Sequence, residues 1–307
     1  MIYLLGYRIC FILLLVTATS TIAQPIYAIQ HEGVEVGILA GGVHRKFIKF
    51  PPSVSINIQK QIDKASALYM EFNDPSAPIP KILKEYGSVP SNNMRALIQA
   101  ERPPCLMEIA PKEYSQISGR SYLMDIPPQL FFVLGVAPFS KPINPNRIDP
   151  KAESIDGEYK LRAVKKNIEI YEIEGWRSGT ELLMAVDGKI FFDAAESLCN
   201  LFYKTDHFKK NLLPVDSDIF LNAIEAGDSD KIAEYTISAF IDTGWPAIGV
   251  DITFNQRNIR FGKKINQILN EKISEKPIFV IGSAHLGGQH GIINQLEKLG
   301  YKIVAIQ

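Results

Sequence analysis

Two stretches of the chain share one pattern, an apolar run that closes on Gly-x-x-His, first at Val36 to His44 and again at Ile278 to His285. A glycine at the end of a strand lets the backbone turn sharply, so a histidine three residues on sits over the carboxyl edge of a sheet, where open α/β folds bind their ligands. A third apolar run, Ala67-Leu68-Tyr69-Met70-Glu71-Phe72, carries a carboxylate near its end. Two imidazoles and one carboxylate form a ligand set that holds a divalent transition metal and leaves a position for water. Such an ion acidifies the water and polarises a carbonyl. Spacing alone does not join the set, because the histidines at 44 and 285 stand 241 positions apart (285 minus 44). A histidine beside glycine is also the ordinary hydrogen-bonded residue of a turn.

The elements that would have to position these residues are legible along much of the chain. Residues 26–29 and 34–40 flank the turn-like His31-Glu32-Gly33 and read as a hairpin. Pro51-Pro52-Ser53 opens a helical pattern through Ile56, Ile58, Ile62 and Ala65, and residues 67–72 read as a buried strand. From 73 to about 150 the chain is proline-rich, with helical patches such as 92–100, and reads as irregular helices and loops. Periodicity then gives a helix over 152–167, a strand over 168–174, one long helical stretch over 178–203 and a helical pair over 216–240. A helix over 258–273, a strand over 278–281, a glycine-rich turn, a helix over 291–299 and a strand over 301–306 close the chain. This tail reads as a strand-helix-strand unit with parallel pairing. The expected fold is therefore α/β, with a central mixed, largely parallel sheet flanked by helices and a helical, proline-rich insertion. The recurrence of strand plus Gly-x-x-His suggests two related halves meeting in one sheet.

Composition narrows the function. With 307 residues, 46% apolar and 21% charged, the chain is that of an ordinary globular protein. Thirty-three basic side chains balance thirty-three acidic ones, which leaves no net field to gather a polyanion, so nucleic acid is not an expected partner. Residues 1–23 have the layout of a secretory signal peptide: one charge at Arg8, an uncharged apolar run over 9–16, and small residues up to Ala23. The alternative is an uncleaved N-terminal anchor. The expectation is an exported protein, periplasmic or secreted, whose domain spans 24–307 and which has no membrane segment after cleavage. Cys10 leaves with the signal, and Cys105 and Cys199 are then either disulfide partners or buried thiols. No Gly-x-Ser-x-Gly, His-Glu-x-x-His or Gly-x-Gly-x-x-Gly occurs, and the run 282–289 lacks the lysine and hydroxyl residue of a phosphate-binding loop. His31 and His207 read as surface residues, and His290 is placed near the mouth of the crevice below His285.

The segments Ile38-Leu39-Ala40-Gly41-Gly42-Val43-His44, Tyr69-Met70-Glu71, Ile173-Glu174, Arg257-Asn258 and Phe279-Val280-Ile281-Gly282-Ser283-Ala284-His285-Leu286-Gly287-Gly288, with Gly300-Tyr301-Lys302-Ile303-Val304 after them, resemble the TraB/GumN family in order and spacing. That family includes the Tiki proteins, divalent-metal-dependent proteases acting on Wnt, and is similar in fold to the erythromycin esterase and ChaN-like proteins. The resemblance implies that His44 and His285 are metal-site histidines and that Glu71 is the acidic ligand or general base. It makes Glu174 a second acidic candidate. Arg257 would hold a carboxylate in a two-pronged contact, either substrate or Glu174, and Asn258 would orient a neighbour or donate to an oxyanion. A buried Arg-Glu pair and a helix N-cap at Asn258 are the plainer alternatives. The sequence departs from the family pattern at Gly42, where threonine is usual, and at Ile173 and Gly175, where leucine and threonine are usual. The activity implied is that of an exported metal-dependent hydrolase, most plausibly a peptidase, using Mn²⁺, Co²⁺ or Zn²⁺ on a peptide or small-molecule substrate. The competing reading is an envelope protein that binds or sequesters a peptide signal without chemistry.

Overall fold

Alternation along the central strands decides which side chain enters which layer. In β2 (Val34–Gly42), Ile38 and Ala40 enter one core and Leu39 the other; in β5 (Ile278–Gly282), Ile278 and Val280 part from Phe279 and Ile281 in the same way. β3 (Ala67–Met70) repeats the split, with Leu68 and Met70 on one face and Ala67 and Tyr69 on the other. Strands apolar on both faces need cover on both faces. A computed structural model of the chain, which describes residues 24–44, 46–71, 85–86, 93–109, 125–135, 145–203, 217–272 and 275–306, supplies that cover. The expected signal segment at 1–23 and His207 lie outside these residues.

Helices α1 (Pro52–Ile62) and α5 (Ile155–Lys165) pack on the first face. On the second lie α11 (Arg257–Glu271) and α12 (Ile292–Lys298), through Phe261, Ile265, Ile292 and Leu296. Each such fully buried Ile or Phe contributes about 1.5–3 kcal/mol over leaving it in water. The remaining strands are β1 (Ile26–His31), β4 (Glu169–Glu172) and β6 (Lys302–Ala305). They complete a six-stranded sheet in the order β4-β3-β5-β2-β1-β6. β4, β3, β5 and β2 pair in parallel, whereas β1 is antiparallel to both its neighbours. The α/β class and the mixed, largely parallel sheet are as expected from the sequence.

Two expectations are corrected. The last two strands, β5 and β6, run the same way but do not pair, because the hairpin β1–β2 stands between them and β6 closes onto β1, with Tyr27 opposite Ala305. The single helical stretch over 178–203 is two helices, α6 (Trp176–Met184) and α7 (Gly188–Tyr203). The break holds because the Asp187 side chain accepts the Lys189 N–H at 2.9 Å, starting a new helix, while Gln129 Nε2 donates to the Val186 carbonyl at 2.7 Å.

The proline-rich stretch contributes a third core, which is helical. α2 (Met94–Glu101), α3 (Pro104–Ile109) and α4 (Pro128–Gly135) bury Ile98, Leu106, Phe131 and Phe132 against Phe191 and Ala195 of α7. Cys105 and Cys199 are joined in a disulfide that ties α3 to α7, and Glu196 accepts the N–H groups of Cys105 and Leu106 at 2.9 Å each. Two more helices follow, α8 (Ser217–Ala226) and α9 (Ser229–Asp242). A short α10 (Ala247–Asp251) then runs through a π-helical turn, Ile252–Gln256, into α11.

Candidate functional site

The register of the sheet brings the two Gly-x-x-His segments side by side. β2 and β5 are parallel neighbours with Gly42 opposite Gly282, so both histidines follow adjacent strands at the same edge. β3 flanks β5 on its other side, with Met70 opposite Val280, and delivers Glu71 to that edge. The Glu71 N–H donates to the Val280 carbonyl at 3.0 Å, and its side-chain Oε2 accepts the Gly282 N–H at 3.0 Å. A Cβ placed on Gly282 would lie 3.3 Å from Glu71 Oε2, 3.4 Å from His44 Nε2 and 3.5 Å from His285 Cδ2. The two imidazoles and the carboxylate thus converge on one point above Gly282.

The π-helical turn before α11 sets the second half of the site. Wide turns of this kind re-aim side chains and recur at functional sites, and here two consecutive residues reach different partners. Arg257 donates through Nη2 to Glu71 Oε1 at 2.7 Å and to Glu174 Oε2 at 2.6 Å, and through Nε to Glu174 Oε2 at 2.9 Å. Asn258 Oδ1 lies 2.7 Å from His285 Nδ1 and, being an acceptor only, fixes the proton on that nitrogen. Asn258 is buried inside the continuous helix, so the N-cap alternative does not apply. Glu174 reaches Arg257 because Gly175 after it turns the chain at φ +72°, a left-handed conformation that the usual threonine would resist.

One residue escaped the sequence. Asp156, in the first turn of α5 behind the N-cap Ser154, is buried, and its Oδ1 lies 3.3 Å from His44 Nδ1. The aspartate fits there only because position 42 is glycine: a Cβ on Gly42 would sit 2.1 Å from Asp156 Oδ1. The replacement of the usual threonine at 42 was the available signal, but it names no partner. His44 is therefore held from both ends, Nδ1 by Asp156 and Nε2 by Glu71 at 3.5 Å. Of the other histidines, His31 is exposed against the Tyr301 ring at 5.3 Å, and His290 is exposed.

Charge in the cluster follows from these contacts. Burial alone would raise the Glu71 carboxyl, yet the Arg257 charge and the His44 hydrogen bond outweigh it and hold it well below the usual carboxylate range. Desolvation lowers His44, but Asp156 and then Glu71 raise it well above the ordinary imidazole value, although 44% of its side chain is exposed at the rim. Burial drives His285 down to about 3, against the pull of Glu71. His285 is thus neutral with Nδ1–H directed at Asn258.

Stability should follow these shifts. His44, raised from 6.5, contributes fully below about pH 6.5 and loses its contribution as pH rises through its folded value. For His285 the unfolded chain takes up a proton below about 6.5 that the folded chain refuses until about 3, so stability falls as pH falls across that window. Glu71, lowered from 4.5, adds to the same acid limb. The chelator-treated protein is expected to melt highest near pH 6.5 and lower on both sides. A thermal melt series from pH 4 to 9 checks it; His44→Ala should flatten the alkaline limb and, by removing one of the contacts that hold Glu71 low, soften the acid limb to a lesser degree.

The donor set suits a divalent metal in kind. His285 Nε2 carries a free lone pair, its other nitrogen is anchored by an outer partner as in metal-binding histidines, and Glu71 is held ionised. Among the described residues, however, no three His, Cys, Asp or Glu side chains already stand as a closed cluster able to hold an ion; His44 Nε2 and Glu71 Oε2 instead face one another.

The family model described as TraB/PrgY/gumN matches residues 26–305, nearly the whole chain. A curated relative, a "Metalloprotease TIKI homolog" from Amphimedon queenslandica, is 29% identical over 83 residues. That match covers 27% of this chain and spans only 14% of the relative's length.

Proposed function

The chain belongs to the TraB/PrgY/gumN family, and from that premise we propose that it is an exported, metal-dependent hydrolase acting on peptides, with its reaction centre above Gly282. The observation that carries this reading is the convergence of His44, Glu71 and His285 within 3.5 Å of one point, out of three separate strands. His44, His285 and Glu71 would hold Mn²⁺, Co²⁺ or Zn²⁺, which when bound acidifies water and polarises a carbonyl. The similarity to a metalloprotease homologue supports peptides as substrate.

The chain's own residues divide the remaining work. Glu71 Oε2, the carboxylate oxygen on the His44 side, is the one left to bind the ion, since Arg257 occupies Oε1. Arg257 pins the other oxygen, Oε1, so the carboxylate cannot rotate away, and Glu174 in turn pins Arg257. Asn258 locks the His285 ring, and Asp156 locks that of His44. Phe254 and Phe261, with ring centres 5.4 and 5.5 Å from that of His285, keep water off the inner side of the site.

Export is supported by the signal-like segment 1–23 and by the Cys105–Cys199 disulfide, a bond that persists in oxidising compartments. Among the described residues no helix is long and apolar enough to cross a membrane. The test is to strip the purified protein with a chelator, resupply Mn²⁺, Co²⁺ or Zn²⁺ singly, and follow a quenched-fluorescent peptide library. Cleavage that disappears with chelation and returns with at least one ion is the expected result. No cleavage under any ion, with peptides still retained by the protein, would assign it to capture rather than hydrolysis.

A further inference from the structure

Next to Glu174, on the far side of Arg257 from Glu71, lies a cavity of about 310 Å³ lined by Ile173, Glu174, Ser178, Arg260, Lys263 and Lys264 among others. Its cations come from one helix: α11 carries Arg257, Arg260, Lys263 and Lys264 against a single acidic residue, Glu271. Arg257 is consumed by Glu71 and Glu174, but the other three lack a carboxylate among the described residues. Arg260 donates to the Ser178 carbonyl at 3.2 Å and Lys264 to Gln267 Oε1 at 3.3 Å, both neutral acceptors. Elsewhere the chain pairs its cations freely, as in Lys46–Glu153, Arg147–Glu225 and Lys189–Glu101. Three cations left around one concavity, in a protein of zero net charge, create a local field for an anion.

Glu174 defines which anion. Its charge is met by Arg257, yet its Oε1 is buried and has no hydrogen-bond partner among the described residues. A buried acceptor without a donor is disfavoured until something donates to it. The fitting ligand therefore carries an anionic group for the lysines and a hydrogen-bond donor for Glu174, a pairing that a peptide supplies through its carboxylate and its N–H. A volume of about 310 Å³ takes one or two residues, not an extended polymer.

We propose that this cavity is a subsite for a carboxylate of the peptide substrate, either an acidic side chain or the C-terminus, beside the Arg257–Glu174 pair that borders the centre above Gly282. The identification of the ligand as a peptide rests on the hydrolase reading.

Full-length protein, two charge variants and three fluorescein-labelled peptides of one neutral sequence test it. One peptide carries an internal aspartate and a C-terminal amide, one a free C-terminus, and one neither. Anisotropy at low ionic strength should show at least one of the carboxylate peptides binding tenfold or more tighter than the third, and which one does so identifies the source. Lys263→Glu/Lys264→Glu and the milder Lys263→Ala/Lys264→Ala, both on exposed positions, should erase that margin while leaving affinity for the uncharged peptide unchanged. Where cleavage occurs, they should raise KM for the carboxylate peptide with kcat kept. Equal binding of all three peptides, or a margin that survives charge reversal, overturns the subsite. So does inorganic phosphate binding more tightly than either carboxylate peptide and lost in the same variants. Since binding is read without turnover, an intact margin with no cleavage under any metal would sink the hydrolase and keep the subsite, and metal-dependent cleavage with no margin would do the reverse.

Discussion

His285→Ala is expected to reduce peptide turnover by on the order of a thousandfold or more, and His44→Ala to do the same, but with different effects on the fold. Both imidazoles face the point above Gly282, and a centre that holds a divalent ion loses both the ion and the charge stabilisation it brings when a donor is removed. His285 is buried, packed between Phe254 and Phe261 and bonded to Asn258. Its removal leaves a cavity and an unpaired amide oxygen, so a clear drop in melting temperature should accompany the lost turnover. His44 has 44% of its side chain exposed, so His44→Ala leaves no cavity, but it takes a charged partner from the buried Asp156 and Glu71; its drop in melting temperature at neutral pH should shrink as the pH rises through the folded value of His44. Asn258→Ala separates positioning from ligation: with both donors present, a ten- to hundredfold loss of metal affinity is expected, read by competition with a chromogenic chelator. Both histidine variants retaining turnover within a few-fold of the parent would remove the centre from above Gly282.

The sequence made much of this arrangement legible, for reasons that differ by element. The strands around 38–42, 67–70 and 278–282 are apolar on consecutive positions, a pattern that survives in one dimension because both faces of a parallel sheet are covered. Placing Gly42 opposite Gly282 was beyond periodicity, since pairing order is set by crossovers that bury helices and not by the strands themselves. The same ignorance of order produced the mistaken pairing of the last two strands, where the N-terminal hairpin had to be known to intervene. Asn258 could be read as a cap or an orienting group until the π-helical turn before it was seen, and no composition rule marks Ile252–Gln256 as such a turn. Asp156 was invisible for a simpler reason: an acidic residue in the first helical turn behind a serine cap is what any helix start would show. Only the missing side chain at 42 hinted that something large and polar stood opposite.

The Arg257 clamp is where stability and chemistry meet, and Arg257→Met is expected to lower the unfolding free energy by about 3–5 kcal/mol at neutral pH. Arg257, Glu71 and Glu174 have side chains only 11%, 4% and 5% exposed, so removal of the guanidinium strands two carboxylates away from water. Methionine keeps the unbranched stem that runs beside the Phe261 ring, which Arg257 now faces at 5.2 Å, so the loss reports charge more than packing. Three consequences follow from that cause. Adding Glu71→Gln and Glu174→Gln to Arg257→Met should recover most of the lost stability, because neutral amides carry no buried charge, although turnover stays absent without the Glu71 carboxylate. Arg257→Lys should fall between, as one ammonium cannot fork across two carboxylates. Lowering the pH toward 5 should narrow the gap between Arg257→Met and the parent, because Glu71, no longer held down by the guanidinium, regains its tendency to take a proton when buried. Urea unfolding of chelator-treated protein at both pH values measures all of this. A value for Arg257→Met within about 1 kcal/mol of the parent, the range of exposed ion pairs, would mean that water reaches the clamp and that Glu71 is not fixed in the way the proposed reaction needs.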